Sequence, residues 1–249
     1  MMEVFINGKS CACKPDEYLL DVAGRNGFDI PVLCHHQGIR GQGCCRVCIV
    51  EMNGRVVPAC VTKPESACKV TTDSEKIKEI RKTVIALLAM RAPLSEEIAQ
   101  MVQKYDAPSL TRLTPVEESE RCVLCGLCAR ACHSLGAGAI SAVNRGVDKK
   151  IAPPYEEEPA SCIGCGSCAE VCPTTAIPVE QTTETRKIWG RVFSMKKCCD
   201  CAAQFTTHEA AKHTAAKLGR ESSELCERCR KARTSAVIFS TSSNRAGYP

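Results

Sequence analysis

Aromatic residues are scarce in this sequence, at 4% of 249 residues, with a single tryptophan. Large aromatic side chains supply much of the apolar area that a protein core buries. Their scarcity therefore argues against one large domain and favours several small ones. Domains of that size rarely fold on a hydrophobic core alone and need disulfides or bound metals as additional support.

Long apolar runs and leader segments are also missing. The longest apolar run covers residues 84–90, whereas a membrane-spanning helix needs about 20 apolar residues. The first ten residues contain neither the basic region nor the apolar region of a secretory signal. We expect a soluble cytoplasmic protein with no membrane partner, in a compartment that keeps thiols reduced.

Nucleotide-binding motifs are absent as well. No Gly-x-Gly-x-x-Gly follows a predicted strand. Gly8-Lys9-Ser10 looks like the end of a phosphate loop, but Glu3 stands where that pattern requires glycine. The sequence therefore offers no substrate site, and we assign no catalytic residues.

Cysteine, by contrast, is abundant: there are 21, and sixteen of them form four groups of four. Two groups have the spacing Cys-x2-Cys-x2-Cys-x3-Cys. A disulfide framework fits this pattern poorly, because cysteines two residues apart in series suit a metal better than pairwise bridges, and because the total is odd. The two runs are Cys122, Cys125, Cys128, Cys132 and Cys162, Cys165, Cys168, Cys172.

That spacing is typical of bacterial ferredoxins with two 4Fe-4S clusters, in which the fourth cysteine of each run binds the other cluster. We therefore predict a dicluster 4Fe-4S ferredoxin domain over residues 121–184. Pro173 after Cys172 fits the ferredoxin pattern, whereas His133 replaces the corresponding proline and is expected to be a surface or supporting residue. The predicted ligands are Cys122, Cys125, Cys128 and Cys172 for the first cluster, and Cys132, Cys162, Cys165 and Cys168 for the second.

The third group places three cysteines on one loop and a fourth further along, as in plant-type 2Fe-2S ferredoxins, although the first spacing is longer here. Its members are Cys34, Cys45, Cys48 and Cys60. Cys44 is expected to be a bystander, because the two-residue spacing to Cys48 fits Cys45.

Other cysteines and histidines near this group are not predicted ligands. His35 and His36 evoke a Rieske centre, but four cysteines are already available. Cys11, Cys13 and Cys68 have no partner spacing and are expected to be buried small hydrophobes, a redox pair of Cys11 and Cys13 being the less favoured interpretation.

The residues flanking these ligands resemble a known family. Ile6 to Arg81, including Ile30-Pro-Val-Leu-Cys-His-His and Cys45-Arg-Val-Cys-Ile-Val-Glu, resembles the N-terminal 2Fe-2S domain of the large iron–sulfur subunit of respiratory complex I. Related ferredoxin subunits occur in NAD-linked hydrogenases, formate dehydrogenases and electron-bifurcating transhydrogenases. With the Asn144-Arg145-Gly146 turn of the dicluster region, the resemblance covers residues 2–180. It implies a multidomain α+β fold with a β-grasp 2Fe-2S ferredoxin domain over residues 1–73.

Residues 74–120 predict a helical bridge. Ser74 and Ser95 have the pattern of helix N-caps, each followed by acidic residues and apolar residues at helical spacing. Complex I and some relatives carry an extra histidine–cysteine cluster here. Between residues 61 and 121 this sequence has no histidine and only Cys68, so we expect no such cluster and interpret the bridge as a spacer.

The fourth group lies in residues 185–249 and consists of two Cys-x2-Cys knuckles, Cys198, Cys201, Cys226 and Cys229. We predict a zinc-ribbon-like module with one zinc ion, a third 4Fe-4S cluster being the alternative. A helix over residues 207–218 ends at Gly219, and the serine-rich tail after Phe239 is expected to be disordered. Cys199, His208 and His213 are not predicted ligands.

Together these patterns predict an iron–sulfur electron-transfer subunit of a soluble, NAD(P)-linked, multisubunit oxidoreductase. Its expected partners are a flavin- and NAD(P)H-binding subunit, further redox subunits and soluble ferredoxin. A free multi-cluster ferredoxin shuttle is the alternative, and a redox-sensing nucleic-acid binder is less favoured. The net charge of +5 is not a nucleic-acid signal, because thiolate-ligated clusters add negative charge.

Overall fold

The computed structural model describes residues 2–113 and 117–243, with side chains to residue 236. The chain divides into two compact units. The first takes in the chain up to Pro154 together with Ser167–Ile177, and the second takes in Tyr155–Gly166 together with the chain from Pro178 onward. Both contain helices and strands, which confirms the predicted mixture of α and β structure.

A five-stranded mixed sheet, of order β2-β1-β5-β3-β4, opens the first unit. Strands β1 and β5 are parallel, and the other neighbours are antiparallel. Asn7 and Gly8 both have positive φ in the β1–β2 turn, which is the hairpin that Asn-Gly predicts. The strands are Met2–Ile6 (β1), Lys9–Cys13 (β2), Ile49–Met52 (β3), Arg55–Pro58 (β4) and Lys69–Thr71 (β5).

Helix α1 (Leu19–Arg25) packs its buried Leu19 and Val22 into the core of this sheet. Cys11, Cys13 and Cys68 belong to the same core and are at most 2% exposed. Their burial confirms that they behave as small hydrophobic residues.

Two helices follow, α2 (Glu75–Arg91) and α3 (Glu96–Tyr105). The Ser74 hydroxyl accepts the backbone N–H of Ile77, and the Ser95 hydroxyl accepts that of Ile98, so both predicted N-caps are confirmed.

These helices share one buried core with both cysteine-bearing regions of the unit. We call this the shared core; its buried members are Leu33, Cys34, Cys45, Val47, Ile85, Ala92, Ile98, Met101, Val123, Cys125 and Leu127. The helices therefore do more than space the two regions apart, since they pack against both of them at once.

Arg81 of α2 fixes the contact between this helix and the sheet. Its guanidinium is 2% exposed and donates to the carbonyls of Val47, Ile49 and Thr72. It also pairs with Asp73 at 2.9 Å. Backbone acceptors at the start of β3 and the end of β5 are thereby satisfied by one buried cation.

The remainder of the first unit carries six of the eight predicted dicluster ligands on short elements, since Cys162 and Cys165 belong to the second unit. Helices α4 (Leu127–Ser134) and α5 (Ser167–Glu170) follow cysteine loops. A two-stranded hairpin, β6 (Ser141–Val143) with β7 (Lys150–Ala152), completes it.

The second unit contains a four-stranded antiparallel sheet of order β11-β10-β9-β8. Helix α6 (His208–Leu218) is capped by the Thr207 hydroxyl and ends at Gly219, which has a φ of 61°, as the sequence predicts. The strands are Glu180–Gln181 (β8), Thr185–Ile188 (β9), Arg191–Lys197 (β10) and Gln204–Thr207 (β11).

Helix α7 spans Glu227–Ser243, so the prediction of disorder directly after Phe239 is wrong for residues 240–243. A helix that has already nucleated extends at little cost per residue, even through serines. The rest of the predicted disordered tail, residues 244–249, lies outside the described residues.

Within residues 2–113 and 117–243, no helix combines the length and the apolar character needed to cross a membrane. The cytoplasmic location stays a prediction.

Candidate metal centres

The 2Fe-2S ligand group is assembled by the β3–β4 hairpin and the loop that precedes it. Cys48 lies directly before β3, and Cys60 lies two residues after the end of β4. The Cys34 thiol contacts those of Cys45 and Cys60, and the Cys60 thiol also contacts that of Cys48. All four are at most 7% exposed. The structure thus brings the four predicted ligands into one buried cluster of thiols.

Contacts among these thiols displace their pKa values in opposite directions. Hydrogen bonds from neighbouring thiols hold the pKa of Cys34 far below its ordinary value, and contact with Cys60 lowers the pKa of Cys48 to about 7. The pKa values of Cys45 and Cys60 are raised well above the ordinary range, chiefly because each lies against the Cys34 thiol. Four buried thiolates cannot coexist without positive charge, and bound iron would supply it.

Cys44 lies at the edge of this group and is exposed. Its thiol contacts that of Cys34 and donates to the carbonyl of Cys125 at 3.2 Å. Sequence spacing marks Cys44 only as a spare cysteine. Its position next to a ligand loop 81 residues further along the chain could not be read from the sequence.

Gly41 lies where the ligand loop passes close to Cys60 and Val61, just after β4. A Cβ atom at this position would meet the carbonyl oxygen of Cys60 and the Cγ1 of Val61, both at 2.9 Å. Because the first of these neighbours is backbone beside a predicted ligand, it has little freedom to move. The close approach explains why a glycine is needed in this loop.

We expect Gly41→Ala to reduce 2Fe-2S incorporation, because the added methyl group pushes the loop away from Cys60. The measurement is visible absorbance and iron content after anaerobic reconstitution. Gly24→Ala is the matched control: Gly24 lies in α1 with open space around its Cβ position, and alanine there favours the helix by about 0.5–1 kcal/mol. Equal cluster content in the two variants would contradict the role of Gly41.

The first predicted 4Fe-4S group lies within the first unit. Cys125 and Cys128 flank the start of α4, where Gly126 has a φ of 70°. Burial raises the pKa of Cys125 to about 11 and that of Cys128 to about 12. Cys172 lies close enough to contribute electrostatically to the raised pKa values of both and of Cys122. This proximity supports the predicted crossing, in which the last cysteine of the second run joins the first three of the first run.

The second predicted 4Fe-4S group is divided between the two units. Cys132 and Cys168 belong to the first unit, and Cys162 and Cys165 belong to the second. The backbone N–H of Ala139 donates to the Cys132 sulfur at 3.2 Å. Hydrogen bonds of this kind to ligand sulfurs tune the reduction potential of an iron–sulfur cluster. The assignment of these four ligands stays a prediction. His133 is exposed, as expected of a surface residue.

The C-terminal cysteine group is the tightest in the part of the chain that the structure describes. The sulfurs of Cys198, Cys201, Cys226 and Cys229 all lie within 4.8 Å of one another. The backbone N–H of Cys226 donates to the Cys198 sulfur at 3.3 Å. This donor and the N–H of Cys201 lower the pKa of Cys198 to about 6. Neither Cys199, His208 nor His213 belongs to the group.

Comparison with known proteins decides the nature of the first two regions. Residues 1–75 match the family described as "2Fe-2S iron-sulfur cluster binding domain", and residues 118–176 match the "4Fe-4S dicluster domain". The chain carries a 2Fe-2S domain and a 4Fe-4S dicluster domain. The C-terminal cysteine group of this iron–sulfur protein lies outside both matches.

Three curated proteins are similar to this iron–sulfur protein. The NADPH-Fe(3+) oxidoreductase subunit alpha of Geobacter sulfurreducens is 33% identical over 59% of the chain. The NADP-reducing hydrogenase subunit HndD of Solidesulfovibrio fructosivorans is 29% identical over 63% of it, and an NADH-quinone oxidoreductase subunit of Rhizobium meliloti is 30% identical over 61%. The matches confirm the resemblance to subunits of NAD(P)-linked hydrogenases and oxidoreductases. The chain spans only 20–32% of the length of these relatives.

A solved structure shows the same fold. It is a chain from the "Crystal structure of NAD+-reducing [NiFe]-hydrogenase in the H2-reduced state", with a TM-score of 0.62 and 23% sequence identity. The match covers 70% of this chain and 86% of that one.

Proposed function

We propose that the chain relays single electrons through one 2Fe-2S and two 4Fe-4S clusters within a multisubunit, NAD(P)-linked oxidoreductase. Support comes from the two iron–sulfur domains and from relatives whose names include a hydrogenase and two NAD(P)H oxidoreductases. The predicted ligand sets are those given by the cysteine spacing. Plant-type 2Fe-2S centres have reduction potentials of about −400 mV, which suit electron exchange with nicotinamide-linked partners.

The observation that carries this proposal is a direct junction between two ligand loops of the first unit. The Arg130 guanidinium, from α4, donates to the carbonyl of Cys34 at 3.4 Å and to the carbonyl of Cys125 at 3.1 Å. It also donates to the carbonyls of Arg40 and Gly126. One side chain thus bonds the backbone of a predicted 2Fe-2S ligand and that of a predicted 4Fe-4S ligand.

The Cys44 thiol closes the same junction through its bond to the Cys125 carbonyl. These hydrogen bonds and the packed side chains of the shared core offer a short path between the two clusters. A relay requires its clusters to lie close together, and this contact joins the two ligand loops.

We expect Arg130→Leu to slow electron exchange between the 2Fe-2S centre and the first 4Fe-4S cluster roughly tenfold, which corresponds to about 1.4 kcal/mol in the barrier. Leucine keeps the apolar stem but bonds none of the four carbonyls. Freeze-quench EPR of the full chain, partly reduced with limiting dithionite, measures the exchange.

Arg55→Leu, at an exposed position of β4, is the matched control and should exchange electrons at the parental rate. If Arg130→Leu keeps its clusters and its exchange rate, the junction is not the path.

The partners are tested by anaerobic purification of the native complex. We expect co-purification with a flavin- and NAD(P)H-binding subunit, and about ten irons per chain from the three clusters. A count of about eight irons per chain would contradict the presence of the 2Fe-2S cluster, because two 4Fe-4S clusters alone account for that number. Recovery of the chain as a lone monomer would instead favour the free ferredoxin shuttle.

A further inference from the structure

We propose that the C-terminal cysteine group binds a single zinc ion, and that this ion holds in place the hairpin that positions the ligand loop of the second 4Fe-4S cluster. The second half of the proposal rests on the proposed function, in that Cys162 and Cys165 are taken as ligands of that cluster. Within the second unit, the distances between sulfurs support the zinc assignment, and side-chain hydrogen bonds to the cluster loop support the link to that loop.

The spacing of the sulfurs identifies a mononuclear site. The sulfurs of Cys201 and Cys226 are 3.7 Å apart, and all four lie within 4.8 Å of one another. Four sulfurs at about 2.3 Å from one tetrahedral zinc ion lie about 3.8 Å apart. In a 4Fe-4S cluster each cysteine binds a different iron at a corner of the cube, so its ligand sulfurs are spread more widely.

The group also has the local structure of a metal knuckle. Cys198 and Cys201 form the turn between β10 and β11. The Cys198 N–H donates to the carbonyl of Ala203, and the Ala202 N–H donates to the carbonyl of Cys198, both at 2.9 Å. The second knuckle is joined to this hairpin by Lys196, which is 8% exposed and pairs with Glu224 at 2.7 Å.

Side chains at the other end of the sheet hold the loop that carries Cys162 and Cys165. Arg191, the first residue of β10, donates to the carbonyls of Pro159, Ala160 and Cys162 at 2.8–2.9 Å. Thr207, the last residue of β11, donates to the carbonyl of Ile163 at 2.6 Å.

Arg186 of β9 completes this clamp. Its guanidinium donates to the carbonyl of Gly164 at 2.9 Å and to that of Cys165 at 2.8 Å. Phe193 packs beneath the loop so closely that a Cβ atom on Gly164 would lie 2.5 Å from its ring. Carbonyls over residues 159–165 are therefore held by side chains of a small sheet, one end of which is closed by the four cysteines.

The zinc ion and the cluster loop are therefore mechanically linked through β10 and β11. Without the ion, this end of the hairpin is closed only by the hydrogen bonds of the Cys198 turn and by the Lys196–Glu224 pair. The positions of Arg191 and Thr207 against the loop are then held less firmly. We expect the loop then to bind its iron poorly, because part of the binding free energy is spent on ordering a loop that the sheet no longer holds.

The test is metal analysis of the full chain carrying Cys226→Ser, purified anaerobically. We expect zinc to fall from about one per chain to near zero, and iron to fall from about ten to about six. The EPR signals of the 2Fe-2S centre and of the first 4Fe-4S cluster should persist. Cys199→Ser, at the exposed neighbouring cysteine, is the matched control and should retain both metals.

Retention of about ten irons by a zinc-free Cys226→Ser protein would overturn the link. Iron in place of zinc in the parental protein would overturn the assignment of the ion. If the unmutated protein contained no iron–sulfur cluster at all, the proposed function itself would be contradicted.

Arg191→Met tests the clamp without touching the zinc ligands, in case Cys226→Ser fails to fold. We expect this variant to keep about one zinc per chain and to lose the iron of the second cluster. If Arg191→Met and the double variant Arg191→Met/Thr207→Val both keep about ten irons per chain, these side chains are not needed to hold the cluster loop.

Discussion

Replacing Cys45 with serine is expected to abolish the 2Fe-2S signal of this protein, whereas replacing Cys44 leaves the signal in place. Cys45 is 7% exposed, contacts the Cys34 thiol and has the two-residue spacing to Cys48. A serine hydroxyl is a poor ligand for iron, which prefers thiolate in such clusters. Iron content should fall from about ten to about eight per chain, together with loss of the 2Fe-2S EPR signal.

Cys44→Ser is the matched control, because it makes the same change one residue away. It removes the thiol bond to the Cys125 carbonyl but none of the four buried thiols. A reversed result, in which Cys44→Ser loses the centre and Cys45→Ser retains it, would exchange the roles of the two residues.

Replacing Arg81 with methionine is expected to lower the free energy of unfolding of the first unit by about 3–5 kcal/mol, because each buried carbonyl left without its donor costs about 1–3 kcal/mol. Methionine fills much of the volume but leaves the carbonyls of Val47, Ile49 and Thr72 without their donor. Buried acceptors that lose a charged donor are costly. The urea midpoint for loss of the 2Fe-2S absorbance, measured anaerobically, reports the change.

Lys78→Met provides the comparison on the same helix. Lys78 pairs with Glu75 at 2.7 Å, but both side chains are at least half exposed, and surface pairs contribute about 0–1 kcal/mol. Similar midpoints for the two variants would mean that the buried network of Arg81 does not stabilise the fold.

Much of the fold and of the candidate sites could be predicted from cysteine spacing and helix-capping patterns, because each of these motifs spans only a few consecutive residues. The Cys-x2-Cys-x2-Cys-x3-Cys runs point to the clusters, and the side-chain hydroxyls of Ser74 and Ser95 mark helix starts that the structure confirms. Such signals depend on chain geometry over one or two turns and need no knowledge of the tertiary fold.

The contacts made by arginines could not be predicted in this way. Arg130 reaches backbone 90 and 96 residues away, and Arg191 reaches backbone about 30 residues away. In the sequence each is one basic residue among 33, and no spacing relates it to the carbonyls that it binds. Cysteine spacing therefore predicts a set of ligands, but it does not predict the side chains that hold their loops.

The bridge shows the same limit for apolar residues. Helical spacing predicted that α2 and α3 have an apolar face, but a spacing pattern cannot say what that face covers. Ile85 and Ile98 pack with Cys45 and Cys125 in the shared core. The interpretation of the bridge as a spacer therefore leaves out its contribution to the hydrophobic core.

The shared core also limits how far the two ferredoxin regions can be treated as separate, transferable domains. Ferredoxin domains are commonly treated as interchangeable cassettes, to be cut from one protein and joined to another. Here a cut within α2 or α3 would divide one hydrophobic core and leave an exposed apolar surface on each fragment, the kind of surface that promotes aggregation. The transferable cassette is therefore the pair of ferredoxin regions together with both helices, and swapping either region alone would require new residues to cover the exposed face.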